Sequence, residues 1–457
     1  MPLRGRWVWL GALALVVAGA AAYSNSLDGQ FLFDDPEAIP NNRSIRALWP
    51  PFQPLLPPAD TTVSARPLVN LTLAVNYAFG GLDVRGYHAF NVAVHVLAAL
   101  TLMGVVRRTL AGGCRSTGIL PVSTRGVPPL GHRKNDDPEA HATTGGRAFG
   151  TALARYATPL ALIVAMVWML HPVQTEAVAY VVQRTESVMG LLFLLTLYCA
   201  IRGFESNRRG WFVAAVACCA MGMASKEVMV AAPLLVLLYD RALAAGSWRA
   251  ALRARWRFYL TLAATWGVLA ACIAGGTRAM TGFDLGASSL DYLKTQAGVI
   301  LHYLRLSVWP DPLILDYDWP FAKSFWQYAP QGAAILALLA ATAAGLWRNR
   351  PWALPGAWFF LILAPSSSFI PLPTMLVVEH RMYLSLAAVV CVAVLGVVRL
   401  GDYEPVRITF FRVAGLLSRH LKTAMPSHVR GGTGAPPRCY SAAAPTSPRP
   451  TPTRARS

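Results

Sequence analysis

Long apolar runs recur along nearly the whole chain, and they constrain its fold more than any other feature. They lie at roughly 7–23, 88–106, 156–171, 188–202, 211–224, 228–240, 258–274, 332–347, 354–370 and 384–399. About 20 apolar residues carry a helix across the hydrocarbon of a bilayer. In lipid a helix satisfies its own backbone groups, and an irregular chain cannot. Composition agrees: 55% of the 457 residues are hydrophobic and 14% are charged, where a soluble domain carries about 25% charged residues. The expected fold class is an all-α polytopic membrane protein, a bundle of about ten transmembrane helices.

Charge placement sets the expected topology. The formal net charge is +19, which invites a nucleic-acid reading. No basic stripe interleaved with aromatic residues appears, however, so no nucleic-acid partner is expected. Arg and Lys gather instead at the ends of apolar runs. Arg4 and Arg6 precede the first run. Arg107 and Arg108, then Arg202, Arg208 and Arg209, then the group from Arg241 to Arg257, then Arg348 and Arg350, and finally Arg399 flank later runs. With the crossings above, all of these fall on one side, which the positive-inside rule makes the cytoplasm. Residues 291–309 ("DYLKTQAGVILHYLRLSVW") are read as an interfacial or re-entrant helix, because a crossing there would put Arg348 and Arg350 outside. The first run is read as an uncleaved signal anchor, although "AAAYS" at its end resembles a cleavage site.

The opposite side collects a different set of residues. "FLFDDPEAI" (31–39) puts Asp34 and Asp35 just after the first run, and "SARPLVNLTLAVNYAFGG" (64–81) brings Arg66. "HPVQTEAVAYVVQRTES" (171–187) brings Glu176, Arg184 and Glu186, and "SKE" (225–227) brings Lys226 and Glu227. "VVEHRMY" (377–383) brings Glu379, His380, Arg381 and Tyr383. Connecting loops need no such density, and ionisable groups at membrane depth usually face a cavity. If the chain is helical after Pro172, then Glu176, Tyr180 and Arg184 form one stripe. The set describes one external cavity, with a carboxylate pair on one wall and cations on the others. A general base opposite an anion subsite suits transfer from a lipid-linked sugar phosphate, whose phosphate is the leaving group. Adjacent carboxylates repel, so their protonation is coupled, and Asp35 is favoured as the base. Each motif also has a plainer reading: a polar stop at Asp34–Asp35, an amphipathic surface helix at 171–187, a snorkelling pair at Lys226–Glu227, and an interfacial anchor at 379–383.

In "RGYHAFNVAVHVLAAL", His88, Asn91 and His95 share a helical face. A metal pair on a helix more naturally uses i, i+4, so His95 is read as an interhelical hydrogen bonder and His88 as a pocket residue. The seven cysteines are odd in number and fall mostly inside apolar runs, so neither a disulfide framework nor a zinc site is expected. Use of a divalent metal is left open, and no other cofactor is expected.

Two segments break the pattern. Residues 111–149 are polar, rich in Gly, Pro, Ser and Thr, and look like a translated mobile repeat inserted as a disordered loop. Residues 401–457 are basic, biased and expected to be disordered, as a frameshifted or truncated frame would give. The domain organisation is therefore two membrane parts, 1–110 and 150–400, separated by the insertion and followed by the tail.

The strings "FLFDDPEAI…RPLVNLTLAVNYAFGGLDVRGYHAFNVAVHVLAAL", "HPVQTEAVAYVVQRTESVMGLLFLLTLYCA", "SKEVMVAAPLLVLLYDR" and "EHRMYLS" occur in this order. Together they resemble bacterial homologues of the transmembrane, TPR-containing O-mannosyltransferases of the GT-C superfamily. The resemblance implies a GT-C-type bundle in the bacterial inner membrane, with interfacial helices in periplasmic loops and the active face periplasmic. It implies inverting transfer of a mannose-like sugar from a polyprenyl-phosphate donor to a protein hydroxyl. By matching position, Asp34 and Asp35 would be catalytic. Arg184, Lys226 and Arg381 would hold the lipid phosphate. Arg66, His88, Glu176, Glu186, Glu227, Glu379 and Tyr383 would line the pocket. No 34-residue repeat is found, so the TPR region is expected to be missing and activity to be impaired.

Two rival classes stay in view. A lipid flippase or transporter would show repeated halves and charges at the midplane, and here the charges sit at helix mouths. A non-catalytic scaffold or pseudoenzyme would fit a truncated chain.

Overall fold

A computed structural model of the chain describes residues 3–50, 52–59, 61–116, 153–275, 288–367 and 376–400. The described residues belong to a compact unit, Met1–Phe411; a second unit, Arg412–Ser457, lies outside them, as do the expected tail and most of the insertion.

Each apolar run is helical in whole or in part. The first half comprises α1 (Leu3–Ala22), α2 (Pro67–Gly80), α3 (Val84–Ser116), α4 (Ala157–Leu170), α5 (Arg184–Ser206), α6 (Arg209–Met223) and α7 (Ala232–Tyr239). The second comprises α8 (Trp248–Ala264), α9 (Trp266–Gly275), α10 (Ser289–Leu306), α11 (Phe325–Trp347), α12 (Ala353–Leu363) and α13 (Met382–Leu400). No strand occurs among the described residues. Helix α3 runs to Ser116, so the first residues assigned to the insertion continue a membrane helix.

Five helical stretches are long and apolar enough to cross a membrane: 84–112, 181–206, 248–275, 325–347 and 379–399. A sixth crossing results if α4 and the turns after it, bent by 57°, count as one broken span. The chain is thus a multi-pass, all-α membrane protein, but length alone does not yield ten crossings. Residues 7–22, 209–223 and 353–363 form shorter apolar helices, and α7 spans only Ala232–Tyr239. The run at 211–224 and the run at 228–240 are both cut short because Ser225–Glu227 leaves the helix between them.

The bundle has two chemically distinct ends. At one end Arg108 of α3 pairs with Glu205 of α5, and Thr109 of α3 meets the Tyr239 hydroxyl of α7. Here Asp240, fully buried on a π-helical turn after α7, accepts two hydrogen bonds from Arg255 of α8, both at 2.8 Å, and one from the Tyr259 hydroxyl. Beside it Arg241 donates to the carbonyl oxygens of Leu346 and Trp347 at the end of α11. The other end gathers the carboxylates. Helix α10 belongs to this end and is not long and apolar enough to be a crossing. It buries Tyr292 and Tyr303, whose hydroxyls donate to the carbonyls of Ser366 and Val378 beyond α12 and before α13.

The core is packed where α4, α5 and α13 meet. Trp168, Phe193 and Tyr383 are almost fully buried there. Gly190 of α5 makes the approach to α13 feasible: a Cβ at 190 would sit 2.5 Å from Tyr383 Cε1. Gly190→Ala is expected to push α5 off α13 and cost about 1–3 kcal/mol, the usual penalty of overpacking. Thermal unfolding in detergent checks this, and an unchanged midpoint would show that Tyr383 can swing aside.

Candidate active site

Irregular backbone at the carboxylate end begins right after α4. Residues 172–183 form a 3-10 turn (Pro172–Gln174), a short helix (Thr175–Ala179) and a second 3-10 turn (Val181–Gln183) before α5 starts. This corrects the expectation of one continuous helix carrying Glu176, Tyr180 and Arg184 as a stripe. A broken helix leaves backbone groups without helical partners, and side chains from elsewhere supply them. The Asn91 amide donates to the carbonyls of Val178 and Val181, each at 3.2 Å. Asp35 Oδ1 accepts from the Val182 N–H at 2.8 Å, and its Oδ2 accepts from the Leu32 N–H at 3.0 Å.

The two adjacent aspartates therefore differ. Asp35 is 1% exposed and both of its oxygens are occupied. Burial pushes its carboxyl up to about 6, against the opposing pull of these two backbone N–H groups and of Arg184. Asp34 is only half-buried. Its backbone N–H donates to the Tyr180 hydroxyl at 2.8 Å, which pins the residue while leaving its carboxylate at the edge of the site. Phe33 just before it takes φ +46 and is exposed. A left-handed backbone on a bulky residue costs about 1–2 kcal/mol, and the bonds flanking it from Leu32 and Asp34 hold it there.

The cations are paired. Lys226 forms a buried salt bridge with Glu186, and Arg66 lies 3.6 Å from Glu227. Arg184 is fully buried; it donates to Asn76 Oδ1 at 2.7 Å and to the Tyr87 carbonyl at 3.1 Å, and stacks on Phe90. Arg381, also buried, reaches the Leu376 carbonyl at 3.3 Å and the Tyr292 hydroxyl at 3.4 Å. The structure thus brings the predicted residues to one end, with Lys226 and Arg66 held by carboxylates and Arg184 and Arg381 held by neutral oxygens.

A second acidic group stands before α13. Glu176 accepts from the His380 backbone N–H at 2.9 Å and pairs with His380 Nδ1 at 2.6 Å. Glu379 accepts from the Ile314 N–H at 2.8 Å and from the Tyr317 hydroxyl at 2.7 Å. His95 bridges three helices: Nδ1 lies 2.9 Å from the Tyr383 hydroxyl and Nε2 3.0 Å from the Met169 carbonyl oxygen. The interhelical role read for His95 is what the geometry shows, and Tyr383 is part of the helix packing. His88 Nε2 lies 3.2 Å from the Gly29 carbonyl oxygen. Among the described residues no group of three or more His, Cys, Asp and Glu side chains could hold a metal.

Tyr180 and His380 were visible in the motifs but had no partner until the fold supplied one. Tyr292 and Tyr317 were not singled out. The signal for Tyr317 was its place in "PDPLILDYDWP", a loop too rich in acid and aromatic residues to be a mere connector.

No family profile and no solved structure matches the chain. Known proteins do. Over 233 residues the chain is 30% identical to the human (Homo sapiens) protein O-mannosyl-transferase TMTC4, covering 47% of this chain and 27% of that protein. Over 235 residues it is 28% identical to the mouse (Mus musculus) protein O-mannosyl-transferase TMTC2, covering 49% and 23%. Over 190 residues it is 28% identical to the Drosophila melanogaster protein O-mannosyl-transferase Tmtc3, covering 40% and 18%. The chain spans about a quarter of the length of the first two of these relatives. Across about half of its own length it is a relative of the protein O-mannosyl-transferases TMTC1 to TMTC4.

Proposed function

We propose that the chain is a glycosyltransferase that moves a mannose-like sugar from a polyprenyl-phosphate donor to a protein hydroxyl. The relatives' names support a sugar transferred to protein. The positive-inside rule supports an outward, periplasmic carboxylate end in a bacterial inner membrane. The observation that carries the reading is the divided aspartate pair: one carboxylate half-buried beside the Tyr180 hydroxyl, the other buried and bonded to the Leu32 and Val182 N–H groups.

Asp34 is assigned the base, reversing the preference for Asp35, because a base must come within hydrogen-bond reach of the acceptor hydroxyl. Asp35, 1% exposed and turned onto two backbone N–H groups, is out of that reach. Asp35 is the positioning residue: it clamps the loop after α1 to the turn before α5. The phosphate of the donor meets Lys226 and Arg66, each paired with a carboxylate at rest. Lys226 and Arg66 can exchange their carboxylate partners for it, so charge on the leaving phosphate is balanced only when donor is present. The polypeptide acceptor approaches from the aqueous side.

The assay is transfer from polyprenyl-phosphate-mannose to a Ser/Thr peptide library by the purified protein. Absence of transfer with intact fold would favour the scaffold reading, and donor movement without turnover would favour the transporter. The pH profile tests the clamp. Asp35 holds both N–H groups only when ionised, and it titrates near 6. Transfer is therefore expected to fall as pH drops through about 6, and this limb should vanish in Asp35→Asn. Stability carries the opposite sign. The folded-state value is raised, so the ionised buried carboxylate costs stability as pH rises through that value.

A further inference from the structure

At the arginine-rich end, far from the aspartates, a groove of about 340 Å³ opens between α1, α3 and α5. Val8 and Ala12 form one wall, Leu97, Leu100 and Met103 the floor, and Leu195 and Tyr198 the other wall. Gly104 leaves room for the Tyr198 ring, whose Cε2 would lie 2.9 Å from a Cβ at 104. The polar end of the groove is Arg107. Its neighbour Arg108 pairs with Glu205 and lies over Tyr198. The Arg107 guanidinium makes no ion pair, ring contact or side-chain hydrogen bond among the described residues.

The dimensions match one leaflet. Helix α3 rises about 15 Å between Leu97 and Arg107 at 1.5 Å per residue, and the hydrocarbon core is about 30 Å thick. An apolar trough that long, ending in a cation with no ion-pair partner among the described residues, is complementary to one lipid: a chain in the trough and an anionic head on the guanidinium. Its volume falls at the low end of ligand sites, which begin at about 300 Å³.

We propose that this groove binds an anionic phospholipid, its acyl chain along α3 and its phosphate on Arg107. The site lies in the leaflet opposite the carboxylate end and does not depend on the transferase reading.

Native mass spectrometry of the whole protein in detergent, offered equal phosphatidylglycerol and phosphatidylcholine, tests it. One phosphatidylglycerol should be retained in preference to phosphatidylcholine. Arg107→Gln should reduce that preference about fivefold, the discrimination expected of a single interfacial cation, and Arg107→Lys should keep it. Leu100→Trp fills the trough and keeps the charge, so it should reduce retention of both lipids even if the Gln variant cannot be isolated. No preference in the wild type, equal loss in the Lys and Gln variants, or full retention in Leu100→Trp would overturn the proposal. So would displacement of phosphatidylglycerol by a polyprenyl phosphate.

Discussion

Asp34→Asn is expected to lower sugar transfer by about 10²–10⁴-fold, the usual contribution of a general base, without loosening the fold. The side chain is nearly isosteric, and the bond that anchors the residue, from its N–H to the Tyr180 hydroxyl, belongs to the backbone. The substitution removes the proton acceptor and alters its side-chain hydrogen bond with the Tyr180 hydroxyl. The deficit should therefore appear in kcat, with the KM for donor little changed, because the proposed phosphate partners are Lys226 and Arg66 rather than the aspartates. Steady-state transfer kinetics beside a thermal unfolding curve provide the check. Wild-type turnover in Asp34→Asn and in Asp35→Asn alike would reduce the pair to a polar stop after the first helix.

The largest stability effect is expected at the opposite end. Asp240→Ala removes a buried carboxylate that receives two bonds from Arg255 and one from Tyr259. Breaking such a pair from one side leaves an uncompensated charge and costs about 3–5 kcal/mol. Arg255 keeps 21% of its side-chain surface accessible, which places the loss toward the lower bound. The unfolding midpoint in detergent should fall well below that of the wild type, while transfer per folded molecule stays the same. A loss of specific activity at unchanged stability would mean that the two ends communicate.

The sequence was most informative where physics is local. Apolar runs became helices because a helix needs no partner to satisfy its backbone in lipid. The end-to-end division of arginines and carboxylates followed from the same runs. Residues 291–309, set aside as a non-crossing, correspond to α10, which hydrogen-bonds to the segments beside α12 and α13. What could not be read is set by partners far away in sequence. Residues 172–183 have a pattern compatible with a helix, and they depart from it because Asn91 donates and Asp35 accepts where a helix would have closed on itself. The cations looked free in the motifs, yet Lys226 meets Glu186 across a helix boundary. The difference between Asp34 and Asp35 is likewise invisible locally, since identical neighbours are told apart only by which one faces Val182.

The separation of those partners bears on how the protein is made. Asp35 and Val182 are 147 residues apart, and Glu176 and His380 are 204 apart. A ribosome adds about 5–20 residues per second, so Asp35 must wait roughly 7–30 s for its partner to emerge. During that interval the loop after α1 stands undocked outside a partly inserted chain, with Phe33 free to leave its left-handed conformation. The second acidic group closes later still, once α13 arrives. Membrane insertion is thus finished helix by helix, whereas the carboxylate end is assembled last, and a chain stalled before α13 would carry every aspartate of the site without the geometry that positions them.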